Sequence, residues 1–391
     1  MFFFLLSFAF SFDQTCVAST STPPEPPEGY KLVQIQVLTR HGARSPLNAL
    51  LNRTQRGQWN CDSDDAVSGR INVANLNKPR RIRHLMDPRL TDYPPSCAVG
   101  ELTLEGMNQH KLLGASYRKY LVDKKFLSTD YINPDEMFVR ATTYDRTYRS
   151  AISFLNGLYP PARPDEIISV IIGSTYDVLR PSSSYCPEIK QLETDFLNTD
   201  SFKNQLKEGQ EMFGELGKYL DISITDRSSL EKVCDWVNTL SCDEREIGPS
   251  VTSQMISKCR TISGSFMFGA YGGDNNKTRG IAFSTGMREI FRVIDEALSG
   301  VSPVKFALHS AHDTSVVAML TALGQNVNSV PPYASHIAVE LFEKDQKYYV
   351  RFSFNGNPLV IPMMNSNETI YDMHAFRSMM EPLIDHCKEA Q

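Results

Sequence analysis

Several features are missing from this 391-residue sequence, and each absence narrows what it can be. No run reaches the roughly 18 apolar residues that a membrane-spanning helix needs. No two of the eight cysteines form a Cys-x-x-Cys pair, which argues against a structural zinc site. Internal repeats and low-complexity tracts are absent, so neither a solenoid nor a disordered chain is expected. There is no basic excess either: 40 Lys and Arg face 45 Asp and Glu, a net charge of -5. A nucleic-acid partner is therefore not expected, and any anionic ligand must be held by a local cluster of arginines. What remains, 41% hydrophobic and 22% charged residues, is the composition of an ordinary globular protein with an ample core.

Residues 1–10 carry no charge and consist almost entirely of Phe, Leu and Ala. The run is too short to span a bilayer and fits the apolar core of a signal peptide, although the usual basic start is missing. Small residues at Cys16-Val17-Ala18-Ser19 place a cleavage site after Ala18 or close by. A secretory address fits the glycosylation triplets that begin at Asn52, Asn276 and Asn367. In an oxidising compartment most cysteines should be disulfides. If Cys16 leaves with residues 1–18, seven of the eight remain, so one would be free or pair with another chain. The product is expected to have no membrane span, to be secreted or lysosomal or vacuolar, and to be a candidate homodimer.

Beyond a proline-rich lead-in at 22–29, residues 32–38 alternate apolar and polar side chains, as a half-buried strand does. Residues 52–100 are polar and irregular, a surface excursion for which Cys61 and Cys97 are candidate staples. Thr103 is placed to cap a helix carrying Leu112, Leu113, Tyr117, Tyr120 and Leu121 at helical spacing. A short strand at 137–139 is followed by a helix that Pro160 and Pro161 stop. Residues 167–172 are β-branched enough for a buried strand. Helical patterning from 187 to 299 reads as an inserted cap, interrupted by a glycine-rich loop at 264–280. A strand at 304–308, a helix through Met319 and Leu323, a hairpin at 337–354 and a closing helix at 371–380 complete an α/β core of residues 30–186 and 300–391.

Chemistry gathers at strand ends, where open α/β sheets bind ligands. The first strand runs into Thr39-Arg40-His41-Gly42-Ala43-Arg44-Ser45-Pro46. Two guanidinium groups beside an imidazole depress its pKa, keep it neutral and nucleophilic, and gather phosphate-like anions. The second strand ends at Arg140, and a third at His312-Asp313. If these strands are neighbours, three arginines would bind a phosphate and stabilise charge on its equatorial oxygens. His41 would attack phosphorus, Asp313 would protonate the leaving alcohol, and His312 would donate to a phosphate oxygen. Beside the phosphate's own charge, the Asp313 pKa should rise.

Residues 40–46 match the Arg-His-Gly-x-Arg-x-Pro signature of the histidine acid phosphatases, a branch of the histidine phosphatase superfamily, and His312-Asp313 matches their His-Asp element. Segments 100–106, 140–146, 185–187, 310–315 and 331–335 also resemble the animal lysosomal and prostatic acid phosphatases. The likeness covers roughly residues 31–387. It implies a mainly parallel sheet flanked by helices, as in phosphoglycerate mutase, with a smaller helical domain. It also implies phosphomonoester hydrolysis through a phosphohistidine, with no metal and no cofactor. In that family's pattern His41 is the nucleophile, Asp313 the proton donor, and Arg40, Arg44, Arg140 and His312 hold phosphate. The resemblance further implies a Cys186–Cys387 disulfide. Two positions depart from the pattern, Ala141 and Tyr144, where relatives commonly carry Ser and Val, and the 52–100 excursion is longer.

The competing readings are a specialist of the same superfamily, such as a phytase or lysophosphatidic acid phosphatase, and a catalytically idle phosphate-binding module. A metallophosphatase is disfavoured because His309 and His312 lack the carboxylate cluster of a two-metal site. A cysteine phosphatase is disfavoured because no Cys-x5-Arg loop follows a strand.

Overall fold

The computed structural model describes residues 9–10, 16–48, 59–61, 97–129, 132–160, 168–173, 177–245, 247–248, 250–272, 276–385 and 387. Most of the leader, Asn52 and nearly all of the 52–100 excursion lie outside the described residues. The sheet begins with β1 (Lys31–Arg40), β2 (Met137–Ala141), β3 (Ile171–Ile172) and β4 (Phe306–Ala311). It is completed by β5 (His336–Lys344), β6 (Lys347–Phe354), β7 (Asn357–Pro358) and β8 (Ile370–Asp372). Its order is β8-β6-β5-β1-β4-β2-β3, with β7 paired to β6. Strands β1, β4, β2 and β3 run parallel, whereas β5 to β8 attach antiparallel on the other side of β1. The sheet is thus mixed, and it is parallel where the three chemistry-bearing strand ends meet. Asp345 and Gln346 both take left-handed φ, +50° and +60°, which is the geometry that closes a two-residue hairpin between β5 and β6.

Helices cover both faces. On one, α1 (Leu104–Tyr117) and α2 (Asp145–Leu158) pack Leu113, Tyr117, Phe154 and Leu158 onto Ile35, Val37, Val139 and Phe306. Each such fully buried side chain contributes roughly 1.5–3 kcal/mol. Thr103 caps α1 as its sequence implies, accepting a hydrogen bond from the Gly106 amide. The cap comprises α3 (Glu188–Leu197), α4 (Asp200–Tyr219), α5 (Arg227–Cys242) and α6 (Ser253–Phe268). It has its own core of Phe202, Phe213, Leu230, Trp236 and Phe266, joined by Trp59, Cys61 and Cys97 from the excursion. By contrast, α7 (Asn276–Ala282), α8 (Ser284–Leu298), α9 (Asp313–Ala322) and α10 (Met373–Ile384) belong to the sheet's second face. The inserted unit therefore ends near residue 270 rather than 299, because the apolar stripe of α8 (Met287, Ile290, Phe291, Ile294) is spent on the sheet.

Three local expectations give way to tertiary structure. The alternation in β1 does not mark a wet face: Gln34 and Gln36 are both buried, donating their amides to the carbonyls of Val293 and Ile290 in α8. Strand β3 is an exposed two-residue edge rather than a buried strand. Residue Gly264 lies inside α6 rather than in a loop, where a Cβ would meet the Ser329 backbone at 2.4 Å. All eight cysteines pair: Cys16–Cys242, Cys61–Cys97, Cys186–Cys387 and Cys234–Cys259. Cys16 is thus not surplus, and a cut after Ala18 would remove it. Asn367 lies exposed in a bend, and Asn276 opens α7.

Candidate active site

The ends of β1 and β4 and the start of α2 open into a cleft of about 520 Å³ between the sheet and the cap. Beyond β1 the backbone turns tightly against the start of α1. A Cβ on Gly42 would lie 2.3 Å from the Gly106 carbonyl oxygen, and one on Gly106 would lie 2.2 Å from that of Ala43. Glycine is required at both places, and the close approach aims His41 and Arg44 into the cleft.

His41 is 1% exposed, and its Nδ1 lies 2.8 Å from the Gly42 carbonyl oxygen. A carbonyl can only accept, so Nδ1 carries the proton and Nε2 keeps its lone pair. Burial, then the charges of Arg146, Arg40 and Arg44, hold its pKa well below the usual histidine value. Arg40 is clasped on several sides: its Nη2 meets Asp313 Oδ2 at 3.0 Å, its Nη1 donates to the Pro331 carbonyl, and the Tyr333 ring lies 4.3 Å from its guanidinium carbon. Arg44 donates through Nη2 to Asp235 Oδ1 of the cap helix α5 at 2.7 Å.

Arg140 does not reach the cleft. It lies inside β2, one residue short of the strand's end, and its side chain turns to α8, where it pairs with Glu289 at 3.3 Å. Arg146, in the first turn of α2, lines the cleft instead, as do Arg180 and the cap's Arg227 and Arg260. Arg146 Nη2 approaches His312 Nδ1 at 3.5 Å, its guanidinium lies 4.4 Å from the Tyr144 ring, and among the described residues its Nε has no hydrogen-bond partner. Burial, and then Arg44, bring its pKa down to about 10. The sequence signal was available: Arg146 opens the helix that leaves a strand end, where side chains face the cleft, whereas Arg140 still belongs to the strand.

His312 is the residue before α9 and Asp313 its first. Thr147 Oγ1 donates to the Tyr144 carbonyl at 2.7 Å, so it accepts from Thr142 Oγ1 at 2.8 Å. The Thr142 hydroxyl, its proton spent, then accepts from His312 Nε2 at 2.8 Å. His312 Nδ1 is left as an acceptor facing Arg146, so the neutral ring cannot donate into the cleft. Burial, then Arg146 and Arg180, keep it neutral. Asp313 feels opposing pulls. Burial pushes its pKa up, but Arg40, Arg44, His312 and the Thr314 amide together pull it below the ordinary aspartate value. An anion on these cations would remove that pull.

The cleft so built sets a neutral imidazole nitrogen among the guanidinium groups of Arg146, Arg40 and Arg44, with a carboxyl group that can carry a proton, and it joins strand ends far apart in sequence. The description "Histidine phosphatase superfamily (branch 2)" matches residues 31–355 of the chain. Counting factor 60 of Dictyostelium discoideum is 28% identical over 360 residues, covering 87% of this chain and 84% of that protein. Lysosomal acid phosphatase of Bos taurus is 28% identical over 332 residues, covering 78% of this chain and 75% of that protein. Among solved structures, the apo form of Hafnia alvei phytase superposes with a TM-score of 0.60 at 15% identity, covering 93% of this chain and 100% of that one.

Proposed function

The chain belongs to the histidine phosphatase superfamily, branch 2, and from that premise we propose that it is an acid phosphatase that hydrolyses phosphate monoesters through a phosphohistidine. The observation that carries this reading is the tautomer of His41. With Nδ1–H held by Gly42, Nε2 is an unprotonated nucleophile beside Arg40, Arg44 and Arg146. The substrate's phosphoryl group takes its place among the three guanidinium groups. His41 Nε2 bonds to phosphorus as the ester oxygen leaves, and the positive charge that develops on the ring is shared with the Gly42 carbonyl. Asp313, protonated once the anion occupies Arg40, gives its proton to the departing alkoxide. Asp313 is then a carboxylate that takes a proton from water as water attacks the phosphohistidine, and inorganic phosphate leaves.

Arg146 replaces Arg140 in this assignment, and His312 acts as an imidazolium, whose second N–H points to the phosphate. The relatives named as lysosomal, together with four disulfides, support an address in the secretory pathway. The leader then ends before Cys16. Selectivity among phosphomonoesters lies with the cap side of the cleft, where Arg227, Glu231 and Lys232 line the wall.

The test is hydrolysis of p-nitrophenyl phosphate with an acid optimum, insensitive to EDTA and blocked by vanadate. Protein quenched in alkaline detergent, where a phosphohistidine survives, should carry phosphorus on the peptide containing His41. Undiminished turnover in His41→Ala would overturn the reading.

A further inference from the structure

Of the four disulfides, Cys16–Cys242 stands apart. The cysteines of the other three are 0% or 1% exposed, whereas Cys16 and Cys242 are half-buried and line the cleft. The Arg260 guanidinium lies against both sulfurs, its Nη2 3.2 Å from Cys16 Sγ and 3.6 Å from Cys242 Sγ. We propose that this bond is a thiol–disulfide exchange site in the wall of the active-site cleft, open to a small-molecule thiol and controlling the support of Arg40.

The chemistry favours this bond over the other three. A disulfide breaks when a thiolate attacks one sulfur and the other departs as a thiolate, faster when that departing thiolate is stabilised. Arg260 supplies a positive charge at both candidate leaving groups. The incoming thiolate forms a mixed disulfide with one cysteine and the other leaves. A second thiol resolves the mixed disulfide. Two small thiols are thereby oxidised to one small disulfide, and the protein bond is reduced by two electrons to two thiols.

The bond ties the two sides of the phosphate site together. Cys16 heads the segment whose Ala18 amide donates to the Tyr333 carbonyl and whose Cys16 carbonyl accepts from the Tyr333 amide, at 2.9 and 2.8 Å. The Tyr333 ring lies on Arg40. Cys242 ends α5, the helix whose Asp235 and Thr239 hold Arg44. Opening the bond frees the segment at 16–18, loosens Tyr333 beneath Arg40 and uncouples α5 from the core on that side. Phosphate binding should weaken while the nucleophile stays in place.

The folded, processed protein is incubated with reduced glutathione, alkylated and mapped by mass spectrometry. Cys16 and Cys242 should be labelled well before the other six, and KM for p-nitrophenyl phosphate should rise several-fold, reversibly with oxidised glutathione. Arg260→Gln should slow labelling about threefold at the same thiol concentration. The double variant Cys16→Ser/Cys242→Ser should show the raised KM without any response to glutathione. Earlier labelling of a buried pair, or labelling of Cys16 and Cys242 with KM unchanged, would overturn the proposal. The effect on KM rests on the phosphatase reading, but labelling does not depend on turnover, so an inactive protein that still labels at Cys16 and Cys242 would count against that reading alone.

Discussion

Asp235 bridges the cap and the core through Arg44. One carboxylate oxygen accepts from Arg44 Nη2 at 2.7 Å and the other from the Leu47 amide at 2.8 Å. The side chains are only 13% and 6% exposed, so the cap contributes a buried counter-charge to the phosphate site. Burial works against the charge on Arg44, and Asp235 more than offsets it. Removing one partner of such a pair costs roughly 3–5 kcal/mol. Asp235→Ala should therefore lower the midpoint of chemical denaturation and raise KM. Asp235→Asn, which keeps an acceptor for Arg44, should recover most of the stability. Equal stability of wild type and Asp235→Ala would mean that the cap does not brace Arg44.

Arg146 and Arg140 make a paired test of the site assignment. Arg146→Ala removes a guanidinium from the cleft and should lower kcat/KM by about 10²–10³. Arg140→Ala leaves the cleft intact. Glu289 retains Arg292 at 2.9 Å, so its carboxylate is not left unpaired, and turnover should change little. Steady-state kinetics of the two variants decide the matter, and the opposite ranking would restore Arg140 to the site.

Asp313 should reveal itself through the leaving group. p-Nitrophenolate departs readily without a proton, whereas an alkoxide does not. Asp313→Asn should therefore slow hydrolysis of an alkyl phosphate far more than that of p-nitrophenyl phosphate. Equal losses on the two substrates would argue against proton donation.

The state of His312 gives the site a pH signature. In the empty cleft its pKa is depressed, by burial first and then by Arg146 and Arg180. A bound phosphate or vanadate neutralises those cations and raises it. Between the free and bound pKa values the free ring is neutral and the bound ring charged, so binding takes up a proton. Affinity should rise as pH falls through that window and level off below the free pKa. Titration calorimetry in buffers of different ionisation enthalpy would register the uptake, and His312→Asn should lower it, leaving the share that Asp313 takes up. Uptake undiminished in His312→Asn would move the titrating group elsewhere.

Much of this was legible locally. The run from Arg40 to Pro46, the cap at Thr103, the stop at Pro160 and the pair His312-Asp313 each depend on near neighbours in the chain, so their residue types announce them. Position relative to a strand's last residue is a finer matter, and there Arg140 and Arg146 exchanged places. The burial of Gln34 and Gln36 could not be read from alternation, because only the packing of α8 decides whether the polar face of a strand meets water or carbonyls.

The sequence by itself singled out Arg40, His41, Arg44, His312 and Asp313 and the strand ends at which they stand, since an imidazole between arginines has that character wherever it is placed. Tertiary structure decided which groups meet. Asp235, Thr142 and Cys242 carry no local sign of function, and they reach Arg44, His312 and Cys16 across 191, 170 and 226 residues. Contacts over such separations are set by how the sheet orders its strands and where the cap settles, and short-range patterning carries no record of either.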